Sequence, residues 1–238
     1  MLKEEIEFKK YEERGAYHWD QISKNPFKSN AFVKGRYLKC IELLENVCRL
    51  KNKKILDYGC GDGALAYLLW KRGAKVYGID NSEIAIKYAI EKHKQYNTDC
   101  HFELANYETT FENNYFDFVI CADVIEHVLE PLRLIKEIKR VLKIGGYTVV
   151  STPIRLTYEP LDGMHVTEWF PQEFMNMISL EFQDFKLYES HPLFWTEMFN
   201  RSFILKLLVN VCSFFDNPFI NTSRKWRYYV LQYAVAKK

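Results

Sequence analysis

The sequence predicts an α/β fold built on a doubly wound, mostly parallel sheet. From residue 53 onward, short runs of β-branched and aromatic residues alternate with longer runs whose apolar residues recur at helical spacing. The first of these strands also leads directly into a glycine-rich turn and then into a helical pattern. The chain has 238 residues, of which 48% are hydrophobic and 27% are charged, enough for one substantial core. We therefore expect one α/β domain with additions at its ends.

Five strands and three helices are predicted between residues 54 and 151. The predicted strands span residues 54–58, 75–79, 101–104, 116–121 and 147–151. The predicted helices span residues 65–72, 82–93 and 131–142, and Ser82 is a typical N-cap. Gly145 and Gly146 are expected to break the chain before the fifth strand.

The two ends of the chain are predicted to add to this sheet. Residues 1–49 should form helices that cover one mouth of the sheet, with an amphipathic helix over residues 30–48. Residues 156–238 should add a helix over 171–180, a strand near 185–188, a second helix over about 196–214 and a closing strand over 226–236.

Charge and cysteine content exclude several classes of protein. The 33 basic and 31 acidic residues nearly cancel without a long single-sign block, which argues against nucleic acid as a partner. The six cysteines include no C-x-x-C pair, so neither a zinc site nor a disulfide framework is expected. The charged first 14 residues lack the apolar stretch of a secretory signal, and the apolar run at 203–215 is too short to span a membrane. We expect a cytoplasmic protein.

The strongest local signal is ILDYGCGDG at residues 55–63, where a strand runs directly into three glycines. Such a loop lets the backbone turn sharply and approach a nucleotide at the end of the first strand. The dinucleotide fingerprint has its last glycine one place further on, so this spacing departs from it. Asp80 ends the second strand, where a carboxylate can accept hydrogen bonds from both hydroxyls of a ribose. A tight turn without ligand and an Asp80 that only caps the next helix are the structural alternatives.

Four motifs, taken in their order along the chain, resemble those of a known family. ILDYGCGDG, VYGID, FDFVICADVIEHV and VLKIGGYTVVSTP, all between residues 50 and 155, are similar to motifs of the class I S-adenosylmethionine-dependent methyltransferases. The likeness is strongest to the subgroup of quinone-biosynthesis O-methyltransferases and small-molecule and sugar methyltransferases. It implies a Rossmann-like fold, with residues 1–49 as a helical lid, 50–155 as the cofactor half and 156–238 as substrate-side additions. It also implies S-adenosyl-L-methionine as cofactor and S-adenosyl-L-homocysteine as product.

The resemblance implies cofactor-binding roles for residues at the matching positions. The residues expected around the methionine part are Asp57, Gly59, Cys60, Gly61 and, through backbone atoms, Cys121 and Ala122. Those expected at the ribose are Asp80 and Asn81, and those expected at the adenine are Asn106 and Tyr107. Ile144 stands where the family normally has proline, a departure in a turn.

Two histidines are the catalytic candidates. His127, in the Glu126-His127 pair that the family commonly has at this place, could accept a proton from an attacking hydroxyl. Packing over the cofactor or capping the loop is its structural alternative. His165, in the sequence DGMHVTEWF, is a candidate on the acceptor side, and with Glu168 it forms an H-x-x-E pair. Without a third ligand this pair is better explained by a loop hydrogen bond than by a metal, so no metal is expected.

The N-terminal region offers two further candidates. Arg36 could clamp the cofactor carboxylate from the lid, although an exposed helix arginine is the commoner outcome. The run Tyr17-His18-Trp19 could close over the methyl donor or anchor the N-terminal helices, and the sequence does not decide between them.

The function predicted from these features is methyl transfer to a small-molecule acceptor, preferably to oxygen. The D/N-P-P-Y/F tetrapeptide of amino-directed DNA methyltransferases is missing, since CADV stands in its place. A sugar or glycoconjugate precursor is the first expected acceptor, by analogy with the subgroup. A prenylated quinone precursor is second, and would use the aromatic last third of the chain, with residues 203–215 at a membrane surface.

Two other classes of protein compete with this prediction. A nicotinamide-dependent dehydrogenase is disfavoured, because both Y-x-x-x-K matches fall on helices directly after the cofactor loops. A non-catalytic partner subunit that kept the cofactor pocket is the other alternative. A monomer or a homodimer is expected.

Overall fold

A seven-stranded sheet forms the centre of the computed structural model, which describes residues 10–157, 160, 162–220 and 226–238. Its strands are β1 (Lys54–Tyr58), β2 (Lys75–Asp80), β3 (His101–Leu104), β4 (Phe116–Ala122), β5 (Leu142–Pro153), β6 (Asp184–Pro192) and β7 (Tyr229–Lys237). Their order in the sheet is β3-β2-β1-β4-β5-β7-β6. Strands β1 to β5 pair in parallel, and only β7 runs antiparallel to its two neighbours. The predicted doubly wound, mostly parallel fold is confirmed.

Nine α-helices and one short 3-10 turn occur in the described residues. They are α1 (Lys10–Arg14), α2 (Tyr17–Gln21), α3 (Ala31–Glu45), α4 (Ala64–Trp70), α5 (Glu83–Gln95), α6 (Pro131–Val141), α7 (Pro171–Ser179), α8 (Leu193–Arg201), α9 (Phe203–Cys212) and the turn Ile125–His127. Residues 1–9 of the predicted lid lie outside the described residues, so the division of the chain at residue 49 stays a prediction. None of the helices described is both long and apolar enough to cross a membrane.

Two predicted boundaries are wrong for identifiable reasons. The helix expected over 196–214 is two helices, because Ser202 has an extended backbone (φ −156°, ψ 157°) and its hydroxyl accepts a hydrogen bond from Leu205 N, which starts α9. The pair Gly145-Gly146 does not precede the fifth strand but lies within it. The register of β4 against β5 shifts there, so the glycines form an irregularity in the strand.

The core lies on both faces of the sheet. Neighbouring residues of one strand point to opposite faces, and Ile55 and Leu56 accordingly belong to two different buried clusters. The first cluster includes buried residues of α3 and α4, and the second includes those of α6 and α7. Both faces are therefore covered by helices, which leaves the carboxyl ends of the parallel strands as the place for a ligand.

A single buried amide ties α9 to the start of α3. Asn210, 2% exposed, donates from Nδ2 to the carbonyls of Pro26 (3.0 Å) and Ser29 (2.7 Å) and accepts from Ala31 N (2.9 Å). The side chain thereby uses both donors and its acceptor, and it fixes the loop before α3 against α9.

Asn210→Leu is predicted to destabilise the protein by about 2–4 kcal/mol, because two buried backbone groups and one half-buried carbonyl lose their partner. A chain of this size should then melt roughly 4–16 °C lower in calorimetry. Asn200→Leu makes the same chemical change at an exposed position of α8 and should leave the melting temperature almost unchanged. Equal melting temperatures for the two variants would contradict this anchoring role.

Candidate active site

The site lies at the carboxyl edge of β1, β2 and β4. Because these strands are parallel neighbours, the loops that follow them meet at one edge of the sheet. The loop after β1 carries the three glycines, β2 ends at Asp80, and the loop after β4 carries Asp123 and the turn Ile125–His127.

Backbone hydrogen bonds attach the glycine loop to the end of β2. The amides of Gly59 and Cys60 both donate to the Ile79 carbonyl at 2.8 Å. The amide of Gly61 donates to Oδ2 of Asp80 at 2.8 Å, and Ser82 N donates to its Oδ1 at 2.9 Å. The N-cap of α5 is Ser82, whose hydroxyl accepts from Ala85 N. Asp80 instead links the glycine loop to the end of β2.

Two of the loop glycines leave no room for a side chain. A Cβ at Gly59 (φ +77°) would lie 2.2 Å from the nearest methyl carbon of Val124, and one at Gly61 (φ +53°) would lie 2.0 Å from the Tyr11 hydroxyl. Both the left-handed backbone and the close neighbours thus require glycine. The contact also shows that α1 packs directly over the glycine loop.

Asp57 is a buried carboxyl at the start of the loop. It is 1% exposed, and its Oδ2 has no hydrogen-bond partner. Burial, reinforced by the negative charge of Asp80, raises the pKa of Asp57 to about 8. The carboxyl is thus mostly protonated at neutral pH unless a cation lies beside it.

Asp62, which the sequence analysis did not single out, holds the N-terminal helices onto the glycine loop. The backbone N of His18 donates to its Oδ2 at 2.9 Å, and the Trp19 indole donates to its backbone carbonyl at 2.6 Å. Trp19 is buried and stacks on Tyr96 with ring centroids 4.9 Å apart. The sequence left two roles open for residues 17–19, closing over the methyl donor or anchoring the N-terminal helices. Trp19 has the anchoring role. The ring centroids of Tyr17 and His18 are 4.0 Å apart.

Arg36 is paired with an aspartate instead of standing exposed. Its Nη1 donates to Oδ2 of Asp123, and both side chains are largely buried. The hydroxyl of Ser151 donates to Oδ1 of the same carboxylate at 2.6 Å. Burial acts to lower the pKa of Arg36, but Asp123 outweighs it and the pKa is raised. Asp123 was missed, although an acid directly after the fourth predicted strand was a visible signal.

His127 lies in the turn after β4 with its ring orientation fixed. Its Nδ1 lies 2.9 Å from the Met164 carbonyl, which can only accept, so Nδ1 carries the hydrogen. Burial, opposed by this hydrogen bond, lowers the pKa of His127. The ring is therefore neutral at neutral pH, with the lone pair on Nε2.

His165 and Glu126 surround His127. The rings of His165 and His127 are 5.0 Å apart between centroids, and His165 Nδ1 lies 2.5 Å from Oε1 of the buried Glu168. The structure thus contains the loop hydrogen bond expected for the H-x-x-E pair. Burial, with Asp123 adding to it, raises the pKa of Glu126 well above its usual range.

These three side chains also form a group of potential metal donors. One donor atom each from Glu126, His127 and His165 lies within 4.8 Å of the others. Carboxylate oxygen and imidazole nitrogen are donors that transition ions accept. The sequence analysis had considered only His165 and Glu168 for a metal. The expectation that the protein uses none stays a prediction.

The remaining candidates lie along the same edge. Cys60 and Cys121 are buried, Ala122 is half-buried, and Asn81 and Asn106 are exposed. Tyr107 is half-buried, and its backbone carbonyl accepts from the Tyr58 hydroxyl at 2.6 Å. The backbone of the segment that carries the predicted adenine residues is thus tied to Tyr58 of β1. Their cofactor contacts stay predictions.

Comparisons with known proteins agree with this geometry. Residues 49–197 match the model of a family described as methyltransferase domain. A ubiquinone biosynthesis O-methyltransferase of Coxiella burnetii is 35% identical over 113 residues, which are 47% of this chain and 48% of that protein. One from Aliivibrio fischeri is 32% identical over 148 residues, 61% and 62% of the two chains. The chain thus spans about half to three-fifths of the length of the curated relatives it matches.

A solved structure extends the likeness to nearly the whole chain. The phosphoethanolamine N-methyltransferase 2 of Haemonchus contortus, in complex with S-adenosyl-L-methionine, superposes with a TM-score of 0.68 at 18% identity, over 98% of this chain and 60% of that one. At this identity the likeness concerns the fold alone. The family match covers more than half of the residues, so the chain belongs to the methyltransferase domain family of class I fold, whose cofactor is S-adenosylmethionine.

Proposed function

We propose that this chain is an enzyme that transfers the methyl group of S-adenosylmethionine to a hydroxyl oxygen of a small-molecule acceptor. One observation carries the proposal: a neutral histidine, His127, is held by the Met164 carbonyl at the sheet edge that carries the glycine loop and Asp80. A methyltransferase that acts on a hydroxyl needs such a base, whereas positioning alone serves for an amine that is already neutral.

The residues present fit the cofactor. The Asp80 carboxylate is placed to accept from ribose hydroxyls at the end of β2, beside Asn81. The glycine loop lets the backbone approach the methionine part, and Asp57 offers a buried carboxyl to its ammonium. Backbone atoms of Cys121 and Ala122 would complete this pocket.

Two further contacts with the cofactor are proposed from the ends of the cleft. Asn106 and Tyr107 would receive the adenine. Arg36, already fixed by Asp123, is assigned the carboxylate of the methionine part.

His127 acts as the general base in this proposal. The bound cofactor would supply a sulfonium, which makes its methyl group electrophilic toward the acceptor oxygen. Nε2 of His127 takes the hydroxyl proton while Nδ1–H stays on the Met164 carbonyl. The ring centroid of His165 is 5.0 Å from that of His127, and Glu168 holds the His165 ring by a hydrogen bond. His165 is assigned to the acceptor side of the cleft.

The acceptor class is proposed from the relatives. Those reported above are named ubiquinone biosynthesis O-methyltransferases, which supports a phenolic hydroxyl of a prenylated quinone precursor. The sugar or glycoconjugate acceptor expected first from the sequence stays a prediction without comparable support. A cofactor-binding subunit without turnover is the alternative from another class.

The function is tested by binding and then by turnover. Calorimetry should show micromolar binding of S-adenosylmethionine and S-adenosylhomocysteine and none of NADH. Radiolabelled methyl transfer should then be found with prenylated catechols and not with sugar nucleotides. Binding without product from either class would favour the non-catalytic subunit, and binding of NADH alone would overturn the proposal.

Asp80→Asn is predicted to weaken binding of S-adenosylmethionine about 10–100-fold, because the ribose loses a charged acceptor and one loop amide loses its partner. Calorimetry measures the change. Asp184→Asn makes the same substitution at the exposed start of β6 and should bind like the wild type. Unchanged affinity in Asp80→Asn, with an unchanged melting temperature, would remove the ribose assignment.

Binding of S-adenosylmethionine at about pH 7 is predicted to release about one proton. Burial holds the pKa of Asp57 at about 8 in the free protein, and the cationic cofactor should lower it, so that the carboxyl ionises on binding. Calorimetry in two buffers of different ionisation enthalpy measures this proton. Asp57→Asn should abolish the buffer dependence; a wild-type enthalpy that is equal in both buffers would contradict the assignment.

His127→Asn is predicted to lower kcat about 100-fold or more and to leave the affinity for S-adenosylmethionine unchanged. The asparagine amide can still donate to the Met164 carbonyl, so the turn is preserved while the base is lost. Wild-type kcat/KM should fall on the acid side, below the lowered pKa of His127, and this fall should vanish in the variant. His101→Asn, at an exposed position of β3, is the control. Equal losses of kcat and affinity would instead indicate a packing role.

A further inference from the structure

An apolar face of α9 is exposed at the surface. Ile204, Leu208, Val211 and Phe215 follow one another at spacings of three and four residues, and Phe203 adjoins them. Phe203, Ile204 and Leu208 are 68%, 69% and 55% exposed, and Phe215, in the turn after the helix, is 91% exposed. The opposite face, with Val209, Asn210 and Ser213, is buried. Helix α9 thus exposes its large apolar residues, whereas an ordinary surface helix turns such residues toward the core.

A second segment packs against α9 and carries a further exposed apolar side chain. The loop before α3 is fixed on α9 through the Asn210 amide, which donates to the Pro26 carbonyl. The next residue, Phe27, is 70% exposed. We call the set of Phe27, Phe203, Ile204, Leu208, Val211 and Phe215 the α9 patch.

The surroundings of the α9 patch are basic. Lys24 and Lys28 flank Phe27, and Lys34 Nζ is 4.6 Å from the ring centroid of Phe214. Burial, and then repulsion from Lys24 and Lys71, lowers the pKa of Lys34.

The acidic residues near the patch are fewer than the basic ones. Asp20 pairs with Lys28 at 3.3 Å, and Glu197 and Asp216 lie on or next to α8 and α9. The positive charge of Arg201, at the end of α8, offsets the negative charge of either Glu197 or Asp216. The rim therefore keeps positive charge that an anionic surface would compensate.

We propose that the α9 patch docks this protein onto the surface of an anionic phospholipid bilayer, with α9 lying in the plane of the interface. Large apolar side chains on one face and lysines around it are the features of such a helix. At ten residues, α9 is about 15 Å long and suited to lying in the interface. The inference does not rest on the proposed reaction. Docking through the α9 patch would bring the start of α3, the helix that carries Arg36, close to lipids.

Vesicle flotation of the full chain tests the proposal. The protein should float with vesicles of three parts phosphatidylcholine to one part phosphatidylglycerol, less with phosphatidylcholine alone, and less again at high salt. Leu208→Ser with Phe215→Ser should weaken the partition about tenfold or more. Ile144→Ser, which removes an apolar side chain 84% exposed outside the patch, should not.

The charge of the rim is tested separately. Lys24→Gln with Lys28→Gln should reduce flotation on the anionic vesicles only, whereas Lys94→Gln with Lys186→Gln, at exposed positions elsewhere, should have no effect. Melting temperature and calorimetric affinity for S-adenosylmethionine should be equal in all these variants, which separates this result from any failure of the proposed function. No flotation on either vesicle, or flotation unchanged by the patch substitutions, would overturn the proposal. A concentration-dependent dimer that the patch substitutions abolish, without flotation, would assign the face to a second copy of the chain.

Discussion

The hydrogen bonds between the glycine loop and the end of β2 are the constraint on which the candidate site depends. Three successive loop amides, those of Gly59, Cys60 and Gly61, are bound to Ile79 and Asp80. This attachment holds the loop at the sheet edge in a backbone conformation that only glycine adopts easily. The same loop then receives the N-terminal helices, through the Tyr11 hydroxyl against Gly61 and the Trp19 indole on Asp62.

An excess of buried carboxyl groups characterises this edge. Asp57, Asp62 and Glu126 are almost fully buried, and Arg36 is already bound to the carboxylate of Asp123. Burial and mutual repulsion raise the pKa values of Asp57, Asp80 and Glu126. A cationic ligand relieves both effects, since it lets a buried carboxyl ionise in contact with an opposite charge. The electrostatics of the free protein therefore favour a cofactor that carries a sulfonium and an ammonium.

Helix α3 connects the regions on which the proposals depend. Its N-terminal end is fixed to α9 by Asn210, and five residues after Ala31 it carries Arg36, which reaches the loop after β4 through Asp123. The carbonyl of Phe32 on α3 also accepts from the fully buried His191, which belongs to β6. The helix therefore links the site, the C-terminal additions and the α9 patch by short contacts.

The sequence by itself determined the elements and the cofactor edge. Strands such as residues 54–58 and 101–104 were predicted at their observed bounds, because local β-propensity and alternation agree there with the burial that the sheet imposes. The glycine spacing and Asp80 likewise marked the loop, because the requirement for glycine at a left-handed turn is local. Local patterns failed where pairing decides the outcome. The strand through Gly145 depends on its register with β4. The break at Ser202 was instead missed, although serine is a typical N-cap residue.

Only the tertiary structure decided which side chains meet. Asp123 with Arg36, Asp62 with His18 and Trp19, and His127 with Met164 are separated by 87, 44, 43 and 37 residues, respectively. No periodicity or spacing in the sequence encodes contacts at such distances. They arise because parallel strands collect their following loops at one edge and because the N-terminal helices fold back over it. The exposed face of α9 was equally undetermined, since its apolar residues are indistinguishable in sequence from those of a core helix.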